Sequence, residues 1–155
     1  MNGASDNLGL PMPPDNLVSG EIRLQFDRIV PGDPARGFVP YYHFHILERT
    51  KGEIGHINFR VGNTDHVLVC AGHIGYKIEE QFRGQGYALQ ACRAIAPWVR
   101  SFYKSVTITS DPDNPASIST IEKLGAVFVD EVTVPKDDPH YLRGSRTKRR
   151  YRWEP

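Results

Sequence analysis

Cysteine is scarce in this chain. Cys70 and Cys92 are the two it has, and neither stands in a C-x-x-C pair. That argues against a cysteine metal cluster, a redox dithiol or a disulfide-stapled fold, and two buried free thiols are expected instead. Long apolar runs are also missing, so no membrane partner is expected. Net charge is close to nil: 19 Lys and Arg against 18 Asp and Glu leave +1, which gives no whole-molecule field to favour nucleic acid. The N-terminus lacks a basic-then-apolar signal pattern, and a cytoplasmic protein is the expectation. Internal repeats and low-complexity segments are absent too.

What is present fits one domain with a sizeable core, since 155 residues with 39% apolar content suffice for that. Residues 1–19, rich in Asn, Gly and Pro, read as a flexible arm, and residues 20–155 as the domain. Period-two alternation predicts strands over 21–30, 39–48 and 53–61, and a long fourth over 67–78 interrupted by Gly72 and Gly75. On the second, Tyr42, Phe44 and Ile46 share one face, and Tyr41, His43 and His45 the other. A helix is predicted over about 85–103, with a kink or early break at Pro97. A strand over 105–109 follows. Asn114 as N-cap, Pro115 at the first helical position and Gly125 past the end then fix a short helix. Strands over 127–134 and 148–153 close the chain. Four strands before the first clear helix exclude an all-parallel, doubly wound sheet.

The most specific stretch is Gln81-Phe82-Arg83-Gly84-Gln85-Gly86-Tyr87-Ala88, at a strand-to-helix turn. Two glycines there let backbone approach a ligand closely, and amides at a helix start favour phosphate. Arg83 adds a formal charge. A dinucleotide fingerprint would need glycine where Leu89 stands, and a Walker loop would need Gly-Lys-Ser/Thr; neither is present. A second motif, Asp113-Asn114-Pro115-Ala116-Ser117 running on to Glu122-Lys123-Leu124-Gly125-Ala126, lies on the next helix.

The two motifs, in this order and on these elements, resemble the acyl-CoA loop and the N-x-x-S … E-K-x-G-F signature of the GNAT superfamily of N-acetyltransferases, nearest its ribosomal-protein N-terminal acetyltransferase branch. The resemblance extends over about 21–153 and is specific from His73 to Phe128. It implies an α/β (α+β) fold with a mixed, mostly antiparallel central sheet and flanking helices. It also implies acetyl-CoA as co-substrate and transfer of acetyl to a primary amine by direct attack in a ternary complex. Backbone near Ile78 to Glu80 would pair with the pantetheine arm, and amides of Arg83, Gly84, Gln85, Gly86, Tyr87 and Ala88 would hold the pyrophosphate. Asn114 would bond to the cofactor arm, and Ser117 would lie near the thioester sulfur. Two departures stand out. The family's two helices between its first strands are replaced by about a dozen residues, 31–42, so the acceptor pocket is reduced, built differently or completed by a partner subunit. Ile121 also occupies the position of the family's thiolate-protonating tyrosine, which leaves Ser117 as the candidate acid.

The reaction needs a base for the acceptor amine, for which His73, Glu79, Glu80, His43, His45 and His56 are candidates. His43, His45, His56 and Asn58 form a polar sheet face where an amine acceptor, a small molecule or a peptide, could bind. As metal ligands the three histidines lack an acid, and no metal is expected. The basic C-terminal run has two readings: a solvated edge strand or a phosphate-binding stripe, with Tyr151 and Trp153 as core. The polar face and the short acceptor segment are compatible with a homodimer. A non-catalytic CoA-binding or RNA-binding module on the same fold is the alternative.

Overall fold

In the computed structural model, which describes residues 8–155, the first sheet grows from successive hairpins. Its strands are β1 (Val18–Ser19), β2 (Ile22–Val30), β3 (Tyr41–Glu48), β4 (Gly52–Arg60) and β5 (Ile74–Ile78), paired antiparallel in that order. Alternation places Tyr42, Phe44 and Ile46 of β3 and Ile57 and Phe59 of β4 on one fully buried face. Helix α1 (Tyr87–Arg100) lies over that face, burying Ala91, Cys92, Ile95 and Val99. Each large side chain so buried contributes about 1.5–3 kcal/mol against exposure. Gly55 is where only hydrogen fits: a Cβ there would lie 2.1 Å from the Lys77 carbonyl oxygen.

The second sheet is antiparallel in the order β6-β8-β7, with β6 (Val106–Ser110), β7 (Val127–Thr133) and β8 (Thr147–Trp153). Helix α2 (Pro115–Lys123) links β6 to β7, and the one-turn α3 (Pro139–Leu142) precedes β8. This mixed α/β arrangement of antiparallel strands with few helices agrees with the expected fold class. Among the described residues no ladder joins β5 to β6. His73, just ahead of β5, ties the sheets together. Its backbone N–H donates to Thr107 O at 2.8 Å, and its ring Nδ1 accepts from Thr107 N–H at 3.0 Å. Beyond that link the two strands part.

Several expectations need correction. Part of the expected arm is anchored: Leu17 is buried, Val18–Ser19 form β1 and the Tyr42 hydroxyl donates to the Pro11 carbonyl, while most of residues 8–16 are exposed. Residues 1–7 lie outside the described residues. The long fourth strand is shorter, because 66–71 form a π-helical turn that buries Val67, Cys70 and Ala71. Asp138 anchors that turn, accepting from His66 Nδ1 at 2.6 Å and from His140 N–H at 2.9 Å. Apolar residues in a row served an irregular turn here, which alternation alone does not distinguish from a strand. Helix α1 continues three residues past Pro97, where Val99 keeps the last turn in the core. The basic strand β8 is central, not an edge. Tyr151 and Trp153 are core, as expected. Three of its four cations are paired: Lys148 with Asp111 at 2.8 Å, Arg149 with Glu131 at 3.2 Å, and Arg150 with Asp130 at 2.7 Å, while Arg152 is exposed. The pairing takes those three cations out of a phosphate-binding stripe.

Burial lowers the pKa of His73, and burial followed by the nearby Lys148 and Arg143 charges lowers that of His140 to about 4. Both histidines therefore fold neutral. Their stabilisation is complete above the unfolded value near 6.5 and is lost as pH falls through that value toward the depressed folded values. Denaturant midpoints are expected to drop between pH 7.5 and pH 5, and to drop less in His140→Gln. Equal midpoints at both pH values would contradict this.

Candidate active site

Where β5 and β6 part, a cleft of about 500 Å³ opens between β5, the turn after it and helix α2. Tyr76, Lys77 and Ile78 line it from the strand, Phe82, Arg83, Gly84, Gly86, Tyr87 and Ala88 from the turn, and Asn114, Ser117, Thr120 and Lys123 from α2.

The turn has the chemistry its sequence demands. Gly84 and Gly86 have φ of 79° and 78°, a left-handed conformation that favours glycine. Gly86 caps α1 without a side chain, and the first intrahelical bond is Gln90 N–H to Gly86 O. Among the described residues, the amides of Gly84, Gln85, Gly86, Tyr87 and Ala88 have no protein acceptor. Five donors at a helix N-terminus thus face solvent and the cleft. The Arg83 amide is spent on Glu80 O, and its side chain donates through Nε to Ile78 O at 2.8 Å.

The turn is held from outside by Lys51, in the β3–β4 hairpin. Its Nζ donates to Gln85 Oε1 at 2.9 Å and to the Tyr87 hydroxyl, a bond that raises the Lys51 pKa. The side chains of Gln85 and Tyr87 therefore brace the loop while their amides stay free. Glu48 orders the hairpin in turn by accepting from the Thr50 and Lys51 amides.

On α2, Asn114 caps the helix: its Oδ1 accepts from Ser117 N–H at 3.1 Å. Capping uses the oxygen, so the Nδ2 donors remain for the cleft. Tyr76 is the residue that sequence reasoning missed. Its hydroxyl is buried with no hydrogen-bond partner. Burial pushes the phenol up to about 12, although the Ser117 and Thr120 hydroxyls lie near enough to favour ionisation. An unpartnered buried donor in a cleft is costly unless a ligand meets it. The signal was present in the pairing of Tyr76 opposite Ile57, which places it on the α1 side, but that register is not readable from a single strand.

Residues 14–127 match the family described as the acetyltransferase (GNAT) domain. The chain belongs to the GNAT family. No curated protein matches it in sequence. Among solved structures it resembles RimL, a ribosomal alpha-N-protein acetyltransferase, at 20% identity and a TM-score of 0.56, over 72% of this chain and 68% of that one. It also resembles the microcin C7 self-immunity acetyltransferase MccE, in complex with acetyl-CoA and AMP, at 20% identity and TM-score 0.57, over 74% and 61%. A third is the ribosomal-protein-S5-alanine acetyltransferase from Vibrio fischeri, at 19% and 0.56, over 74% and 64%. The chain thus spans about two thirds or less of these structures' length.

Within the GNAT frame the sequence-derived residues sort clearly. Ile78, Arg83, Gly84, Gly86, Tyr87, Ala88, Asn114 and Ser117 converge on one cleft. Glu79, Glu80 and Gln85 border it without lining it. His73 does not belong: it is 3% exposed, Nδ1 accepts from Thr107, and Nε2 lies 2.9 Å from Asn63 Oδ1. With both ring nitrogens engaged away from the cleft, it cannot serve as the base and is a structural pin. Ile121 is fully buried, so the usual GNAT tyrosine position is core here. Between β2 and β3 there is only a three-residue 3₁₀ turn, Pro34–Arg36, in place of two helices. The opposite face of the sheet carries His43, His45, His56 and Asn58 together, and the cross-strand partner of His56, Lys77, reaches the cleft.

Gly86→Val is expected to fold, since a Cβ at Gly86 meets nothing within 4 Å, yet to weaken acetyl-CoA binding at least ~100-fold by distorting the left-handed turn and masking its amides. Calorimetric titration checks it; a folded variant with wild-type affinity would contradict the loop assignment.

Proposed function

We propose that this protein transfers acetyl from acetyl-CoA to a primary amine, by direct attack of the amine on the thioester carbonyl within a ternary complex. The observation that carries this reading is the row of unpartnered amides from Gly84 to Ala88 opening onto the cleft beside the free edge of β5. In this reading those amides hold the pyrophosphate, with Arg83 and Lys123 as flanking cations. The pantetheine arm lies along Tyr76 to Ile78, where strand polar groups other than the Ile78 carbonyl, which Arg83 Nε meets, lack a neighbour on the cleft side. Asn114 Nδ2 donates to the arm.

The chemistry needs three things from the protein. The amine must be neutral to attack, and its proton must leave. Glu79, exposed and next to Ile78 at the strand end, is the base we assign, acting through water across the open cleft. The tetrahedral oxyanion needs a donor, which an amide of β5 supplies. When the intermediate collapses, the C–S bond breaks and the CoA sulfur takes a proton. Tyr76 is the donor for that step: with its pKa near 12 it is fully protonated at neutral pH, and it sits among the cleft's lining with Ser117. Ser117, on the same cleft lining, relays a proton from cleft water back to Tyr76. Tyrosine thus reaches the cleft from the strand, whereas Ile121 on the helix cannot supply it.

The acceptor we propose is the amine of a peptide or small molecule, and the ribosomal-protein specificity of RimL and the Vibrio fischeri protein favours a peptide α-amine. A cytoplasmic setting suits that substrate.

Thiol release from acetyl-CoA, offered a panel of peptides and small amines, tests the reading. Tyr76→Phe is expected to lower kcat by about 10²-fold with little change in KM for acetyl-CoA, and Ser117→Ala to lower it less. Tight acetyl-CoA binding without turnover on any amine would instead mark a binding module.

A further inference from the structure

The polar face of the first sheet contains a second cluster, away from the acetyl-CoA cleft. On β2 the register shifts between Phe26 and Arg28, so Asp27 is an extra residue opposite the His43–His45 stretch of β3. Bulges re-aim side chains, and this one turns the Asp27 carboxylate toward both rings. Asp27 Oδ2 lies 4.0 Å from His43 Nε2 and 3.7 Å from His45 Nε2.

The far sides of both rings are already fixed. His43 Nδ1 is 2.6 Å from Asn58 Oδ1, and His45 Nδ1 is 3.2 Å from Glu53 Oε2. An oxygen acceptor on Nδ1 places the ring proton there and leaves a lone pair on Nε2. Two imidazole lone pairs and a carboxylate oxygen therefore converge, within 4.8 Å of one another. This is the arrangement in which outer oxygens orient histidines toward a metal. A tetrahedral zinc with bonds of 2.0–2.1 Å sets its ligands roughly 3.4 Å apart, so the two Asp27 contacts must close by about 0.3 and 0.6 Å, and the ligand set, within 4.8 Å overall, by about 1.4 Å at most. Arg28 Nη1 now contacts the same Asp27 oxygen, but its side chain is 63% exposed and free to turn into water.

We propose that Asp27, His43 and His45 bind a divalent first-row transition metal of the zinc class, with Asn58 and Glu53 as positioning residues. Two nitrogens and one oxygen suit such a metal better than magnesium or calcium, which prefer oxygen alone. Three protein ligands leave at least one coordination position for water, and the His56 ring centroid is 5.3 Å from that of His43. The expectation of no metal rested on the histidines lacking an acid. Asp27 is that acid, brought in by strand register. The inference does not depend on the acetyl-transfer reading.

The test is titration of chelator-treated full-length protein with Co²⁺, followed by its visible ligand-field spectrum, then displacement by Zn²⁺. One equivalent of Co²⁺ is expected per chain, released by one of Zn²⁺. Asn58→Ala should weaken binding by about 10–100-fold, and the double variant His43→Ala/His45→Ala should abolish it. Asp27→Asn, at an exposed position, guards against misfolding of the double variant and should also lose the spectrum. No stoichiometric binding by wild type, or equal binding by folded Asp27→Asn, would overturn the proposal.

Discussion

The structure depends on one divergence. Strands β5 and β6 are held together at His73 and Thr107 and then separate, so two sheets share a core yet leave a gap between their edges. Everything assigned to the cleft follows from it. The free side of β5 exposes strand polar groups that a continuous sheet would have paired. The turn that leaves β5 enters α1 at the mouth of the gap, which aims the helix amides into it. Helix α2, entered from the end of β6, forms the other wall with Asn114 and Ser117. His73 earns its burial as the hinge of this arrangement, not as a catalytic group.

Much of this was legible in the sequence. The strand alternation of β2, β3 and β4, the Asn114-Pro115 helix start and the paired glycines at 84 and 86 each carry a local physical signal, and each appears where that signal placed it. The turn motif and the α2 motif converge on one cleft. What the sequence did not show is what register and irregular turns decide. Residues 66–71 are apolar enough for a strand but close a π-helical turn, because His66 and Cys70 are drawn to Asp138, 72 residues after His66 in the chain. Tyr76 and Asp27 escaped for the same reason: each gains its role from partners on other strands or helices.

The β2–β3 connection holds a single 3₁₀ turn, and one face of the first sheet is populated by histidines and carboxylates. The half-buried histidines of that face lose part of their hydration, which hydrogen-bond partners offset. The Asn58, Glu53 and Asp27 contacts provide them, and the same contacts orient the rings toward one point. Scaffold economy on one side of the sheet and ligand chemistry on the other are thus linked through β4, whose residues alternate between the core and this face.

The central claim is that acetyl-CoA lies in the gap between the sheets with its pyrophosphate on the Gly84–Ala88 amides. Backbone amide chemical-shift mapping by NMR during an acetyl-CoA titration tests it most directly. The account predicts saturable shifts concentrated at Gly84, Gly86, Tyr87 and Ala88 and along Tyr76 to Ile78, with Asn114 and Ser117 following. Shifts confined to other surfaces, or none at saturating acetyl-CoA, would contradict it.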